Sequence, residues 1–369
     1  MKLKSFYALI LMVTLAGSPA IAQKSFFKSV GKEVTKGVKK IKKGNSSNSK
    51  SKNTKSKESA TVNRDPNDVC RDVILIEELQ TNALVAGDNL IYFINKKNST
   101  AQTRGPINEL KGYLKSACVH AYVEFNGKTY PVTSINSGAF DSESLTSVII
   151  PSGVTEIQNN AFSSSALRTV TIPGSVQRLK PNCFAKSNLK SVVLEEGVKH
   201  LEGSVFSLCN HLVEAQFPST LQHMDVNTFE YCKSLQKVTF ASNCKLKRIG
   251  NRAFYECKKL TTIELPENLE EIGERAFAYS GLKSITIHEN IKKICKSAFE
   301  GTQIQEITIP ASVEEIEEDA FSDCKNLKKI NISSKFKDFM LLHEIFGFES
   351  THIFTDYDIN KCPIFNWID

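Results

Sequence analysis

The residues with which this 369-residue chain can do chemistry are ten cysteines, seven histidines and a lysine-dense segment near the N-terminus. Thiols and imidazoles serve as nucleophiles, bases and metal ligands, but each of those roles imposes a spacing. No C-x-x-C occurs, which removes the zinc ribbon, and there is no H-E-x-x-H, no G-x-S-x-G and no glycine-rich phosphate loop. The chain therefore reads as a non-enzyme with no resident cofactor. Its cysteines fall in a pattern of another kind. Cys209, Cys232, Cys257 and Cys324 each stand three residues after a phenylalanine, and Cys183 stands directly before one. A residue tied so closely to a phenylalanine reads as a small buried filler.

Those phenylalanines are the organising feature. Phe140, Phe162, Phe184, Phe206, Phe229, Phe254, Phe277, Phe299 and Phe321 are separated by 22, 22, 22, 23, 25, 23, 22 and 22 residues. A fixed period in this range marks a solenoid. Five residues before each Phe stands Ile, Leu or Met, from Ile135 to Ile316. After each Phe, at five or six residues, an L-x-x-V-x-I run begins, alternating like a strand with one buried face. One such unit buries too little apolar surface to offset the entropy of ordering it, so the units must stack and join their strands in a parallel ladder. Pro151, Pro173, Pro218, Pro266 and Pro310 follow the run and lack a ladder donor, which predicts a strand end and a corner. The small residue before Phe, usually Ala, predicts a short helical turn against the core.

The phrase I-x-x-x-AF-x-x-(C)-x-L-x-x-V-x-I-P-x-x-V-x-x-I, heard most clearly in residues 307–321 as ITIPASVEEIEEDAF, resembles the BspA-like leucine-rich repeats. The resemblance covers residues 135–332. It implies a right-handed leucine-rich repeat stack of about nine coils of 22–25 residues, and a surface-associated, often adhesive protein. It transfers no catalytic residue, because the motif positions are structural. Two units depart from it. The third has Glu195 in place of Pro, and the sixth reads FASNCKLKRIG, two residues longer at the corner, so a bulge is expected near Cys244.

The flanks differ from the repeats. Residues 1–22 read as a secretory signal, with Lys2 and Lys4, an apolar run from Phe6 to Ala16 and Ala20-Ile21-Ala22 before the expected cleavage. The run is too short to span a bilayer. Residues 24–57 carry twelve Lys and one Glu, a net +11, whereas positions 58–369 hold 33 basic and 39 acidic residues, a net −6. Within this arm Phe27, Val30, Val34, Val38 and Ile41 keep helical spacing. Residues 24–43 therefore read either as an amphipathic helix for an anionic membrane or polymer or as a solvated linker. From Asn45 to Ser59 no apolar residue occurs beyond the arm, and disorder is expected. Residues 23–62 together form the arm and linker. Residues 63–134 read as an N-terminal cap whose hairpin turns at Asn126-Gly127. Residues 333–369, which hold Trp367, read as a C-terminal cap or an aromatic patch. Cys70 and Cys118, both in the N-terminal cap, are the candidate disulfide.

Two surfaces remain as candidate binding sites. Between the core positions of the strand runs lie outward columns, from which Thr171, Gln216, Lys237, Thr239, Glu264, Thr286, Glu306 and Thr308 are the candidate contact residues. Thr also simply favours exposed strands. In a second column Arg178, His200, His223 and Arg248 occupy four consecutive coils and form a candidate anion-binding run. The two imidazoles there, about 5 Å apart, would hold a metal weakly, and no metal is assigned because the rest of the column is solvent-facing. The expected function is an exported, cell-surface or periplasmic, non-catalytic binding or adhesion scaffold for an extracellular or envelope protein or glycan, not nucleic acid. The alternative is a structural envelope protein attached through its arm.

Overall fold

The computed structural model describes residues 84–87, 90–106, 112–141, 144–347 and 365–368, all within the unit Asp72–Asp369. The signal segment, the basic arm and Cys70 lie outside the described residues.

The nine phenylalanines are each at most 1% exposed and form a single file. Successive ring centroids are 5.0 to 5.6 Å apart and nearly parallel. That spacing is one strand separation, so the rings repeat with the coils. The aliphatic residues five positions earlier pair in register from coil to coil: Ile135 with Ile157, Leu179 with Leu201, Met224 with Ile249, Ile294 with Ile316. Their two-residue strands form a parallel ladder that runs unbroken from Lys128–Ile135 to Glu315–Ile316. The core is thus a set of columns, each holding one residue type.

The segment before each Phe is not a helical turn. Two left-handed residues bracket the ring in eight coils, at two positions before and two after it, as with Asn160 and Ser164 or Arg275 and Tyr279. For a side chain with Cβ this conformation costs about 1–2 kcal/mol. The compensation is a second ladder. The Phe162 amide donates to the Cys183 carbonyl at 2.7 Å, that of Phe254 to Ala276 at 2.7 Å and that of Phe321 to Ile345 at 3.0 Å. A helix would have turned these groups inward along its own axis. The left-handed bracket aims them at the next coil.

On the strand side the L-x-x-V-x-I runs behave unevenly. Thr169–Ile172, Ser191–Leu194, Glu214–Phe217 and Lys237–Phe240 form one parallel sheet. Glu306–Ile309, Lys329–Ser333 and Phe365–Ile368 form another. Residues 262–265 and 284–287, between them, join neither.

The corners follow the prolines. The carbonyls of Pro151, Pro173, Pro218, Pro266 and Pro310 each accept from the amide three residues on. Glu195 and Ala241 do the same where Pro is missing. Cys244 is therefore not on a bulge: its amide donates to Ala241, and the thiol fills the buried corner slot. The added residues sit beyond it, where Lys245 and Lys247 are exposed around buried Leu246.

At the N-terminal end Tyr122–Phe125 and Lys128–Ile135 form an antiparallel hairpin through Asn126 and Gly127, both at positive φ. Leu90–Asn95 and Thr100–Pro106 continue its sheet outward. At the other end a helix, Phe339–Phe346, places Phe346 5.4 Å from Phe321. Phe365–Ile368 adds a parallel strand beside Lys329–Ser333, with Trp367 stacked on Phe365 at 5.5 Å. Both ends of the stack are thereby covered rather than left as open apolar faces.

Candidate functional site

All eight outward candidates, Thr171, Gln216, Lys237, Thr239, Glu264, Thr286, Glu306 and Thr308, are exposed. Register places Gln216 beside Thr239, and pairs Glu214 with Lys237 and Glu306 with Lys329. Six of the eight stand on paired strands, and Glu264 and Thr286 stand on the two runs that no strand pairing holds. The surface they form is hydroxyl-rich and nearly balanced in charge, since Lys329 meets Glu306 at 2.6 Å. That ion pair and the Asn331 amide hold the Glu306 carboxyl below its ordinary pKa.

Between Lys237–Phe240 and residues 262–265 the surface opens into a cleft of about 710 Å³. Lys237–Phe240 is the last strand of its sheet, and no backbone hydrogen bond crosses to 262–265. On the opposite side of the same two coils the stack stays closed, with Phe229 and Phe254 5.4 Å apart and the Phe229 amide bonded to Ala253. The corner beside the cleft is the longer one: Phe240 stands 14 residues before Phe254, two more than the 12 from Phe217 to Phe229. Phe240 and Leu265, which line the cleft, are only half-buried. Their counterparts Ile172, Leu194 and Phe217 before it, and Ile287, Ile309 and Ile332 after it, are buried.

Arg178, His200, His223 and Arg248 do occupy consecutive coils, and the two imidazoles stack at 4.7 Å, 9° from parallel. Both guanidinium groups are already paired. Arg178 lies 3.6 Å from Glu202, and Arg248 donates to Glu271 at 2.7 Å and to Asn251. The column thus closes on carboxylates at both ends, with the two histidines between. Burial, then the neighbouring His223 and Arg178, lower the pKa of His200. Face-to-face stacking points the ring edges the same way and leaves no room for an ion between the rings. Among the described residues no group of three or more metal-ligating side chains is found.

The cysteines form a column with a shared bond. Cys209, Cys232, Cys257 and Cys324 donate to the carbonyls of Phe184, Phe206, Phe229 and Phe299 at 3.1 to 3.2 Å. Ser165, Ser187, Ser280 and Thr302 take the same place in the other coils and are equally buried. The slot takes a small side chain with one hydroxyl or thiol, which is visible in sequence only when Ser and Thr are read with Cys; the hydroxyls of Ser187 and Thr302 meet the next thiols at 3.3 and 3.2 Å, and those of Ser165 and Ser280 have no hydrogen-bond partner. All seven cysteines from Cys183 to Cys324 are free thiols. Burial pushes the thiols of Cys183 and Cys257 far up, and that of Cys324 to about 11. None of these three is a nucleophile at neutral pH. Cys118 is disulfide-bonded, while Cys70, the other half of the expected pair, lies outside the described residues.

One surface feature was missed from sequence. Tyr231, Tyr255 and Tyr279 form an edge-to-face ladder on the turn side at 5.4 and 5.9 Å. The signal was present, since each stands one or two residues after its Phe. Arg252 lies 4.1 Å over the Tyr255 ring, and Lys233 and Lys258 approach Tyr231 and Tyr279. The ladder therefore satisfies its own ring faces.

Stacked short parallel strands around an unbroken aromatic file, with no catalytic grouping among the described residues, define a solenoid repeat protein. A family model for the BspA type leucine rich repeat region, in six copies, matches residues 133–257 and 243–343. This is more than half of the chain, and the chain belongs to that family. Among solved structures it is similar to a leucine-rich repeat protein from Bacteroides ovatus, at 24% identity and TM-score 0.51 over 67% of this chain and 70% of that one. It also resembles the pneumococcal vaccine antigen PcpA, at 17% identity and TM-score 0.44 over 69% and 82%. A leucine-rich cell surface protein from Faecalibacterium prausnitzii matches at 16% identity and TM-score 0.32 over 72% and 98%. No curated protein matches.

Proposed function

We propose that the chain is an exported, surface-exposed binding scaffold whose strand face meets a macromolecular partner and which carries out no catalysis. The observation that carries this reading is the register of outward, chemically mixed residues at one-coil intervals, as in exposed Thr171, half-buried Val193, and exposed Gln216 and Thr239. A partner touching several coils at once gains many weak contacts without any single pocket. Export is supported by the signal-like residues 1–22, and membership of the BspA-type family supports a repeat scaffold over an enzyme.

The test is a glycan and extracellular-matrix protein array probed with the protein and with a variant carrying Gln216→Glu, Lys237→Glu and Glu306→Lys. The expected result is a bound partner that the variant loses at least tenfold. Binding indifferent to this face would refute the reading.

A second reading is favoured by the net +11 of residues 24–57. In it the arm attaches the protein to an anionic envelope surface and the solenoid acts as a spacer. Deleting residues 23–60 separates the two. Envelope association that survives unchanged removes the arm as the attachment device.

A further inference from the structure

The cleft beside Phe240 has the chemistry of a missing strand. A parallel strand is normally bonded on both sides, so the free edge of Lys237–Phe240 presents amides and carbonyls with no partner across the gap. Residues 262–265 on the facing wall are likewise unpaired. Unpaired main chain of this kind is matched by another extended main chain, which supplies donors and acceptors at the same alternating spacing. The side chains agree. Phe240 and Leu265 are half-buried where they line the cleft, and buried Val238 and Ile263 complete an apolar floor, while Lys237 and Glu264 flank the outside. An occupant must therefore alternate, with apolar side chains inward and polar ones outward. A sugar would satisfy the polar rim but would leave the apolar floor without an apolar partner.

We propose that this cleft takes one extended polypeptide segment of a protein partner, seated as an added strand on the edge of Lys237–Phe240 with its apolar side chains against Phe240 and Leu265. This rests on reading the strand face as the contact surface, and narrows the partner from a macromolecule in general to a protein with an accessible alternating segment.

The full chain is used to select from a phage-displayed library of linear seven-residue peptides. Enrichment of sequences apolar at every second position is expected. A synthetic copy of the leading sequence should slow amide hydrogen exchange at residues 237–240. It should also bind at least tenfold more weakly when alternate amides are N-methylated in one of the two possible phases. Phe240→Ser should weaken binding by a similar factor, while Ser191→Ala, on a strand paired on both sides, leaves it unchanged. If Phe240→Ser does not fold, the N-methylated peptides still decide the matter on the native protein. The proposal is overturned if no sequence enriches, if N-methylation in neither phase changes affinity, or if exchange slows elsewhere. It also falls if residues 237–240 are shielded by self-association or by an array glycan instead. Array binding lost on charge reversal, with no peptide effect, would keep the strand-face reading and remove only the cleft proposal.

Discussion

The two long sides of the same coils hold together by different means. On the turn side the aromatic file runs from Phe140 through Phe321 to Phe346, with a backbone bond at every step. On the strand side the pairing stops after Lys237–Phe240 and resumes only at Glu306–Ile309. The stack survives the interruption because its cohesion resides in the phenylalanine file and the turn ladder, which the break does not touch. The strand side is thereby free to vary in pairing as well as in side chains. A solenoid with its cohesion on one side can place a binding feature on the other at little cost to folding.

The comparison is broken most directly at its strongest point. Phe254→Ala should destabilise by about 3–5 kcal/mol in denaturant unfolding, because it leaves a cavity between two stacked rings. A loss near zero would place the cohesion elsewhere. Next come two prolines. Val193 pairs with Thr171 on one side and Gln216 on the other, so Val193→Pro removes a ladder bond whichever way its amide points and should cost about 1–3 kcal/mol. Thr286→Pro, on an unpaired run, should cost measurably less, and equal losses would mean the two regions do not differ. A smaller effect is expected at the thiol column. Cys257→Ser keeps a small side chain with one donor, of the kind that Ser187 and Thr302 place in this slot, so it should cost below about 1.5 kcal/mol by the same unfolding measurement. In the native protein Cys257 should also resist thiol-labelling reagents until unfolding.

The smallest effect is that of pH. His200 binds its proton less readily in the folded chain, so its contribution to stability is fully present above the ordinary imidazole range, near 6.5. It is lost as pH falls through that value toward the lowered one, because the unfolded chain then binds the extra proton. His200→Asn should flatten the stability profile between about pH 7 and 5. An unchanged slope would show that the stacked pair does not couple to folding.

Much of this was legible in the chain itself, because a solenoid writes its core as a column and a column as a period. Nine phenylalanines at near-constant spacing, with Ile135 to Ile316 five residues earlier, determined the stack, its register and the buried identity of the thiols. The outward residues followed from the same register by alternation. What the period cannot carry is the main chain, since every residue brings the same amide and carbonyl to the ladder. Whether the backbone before Phe162 turns as a helix or through left-handed Asn160 depends on where the next coil's carbonyls lie. Whether two added residues after Phe240 bulge outward or push neighbouring strands away from each other depends on how Cys244 and Leu246 pack. Arg248 meets Glu271, the next residue of its own column, whereas Arg178 meets Glu202, which stands outside that column on the next coil. Side-chain type and spacing thus determined the columns. Tertiary packing alone decided where the main chain closes and where it stays open, because that balance is struck between coils more than twenty residues apart.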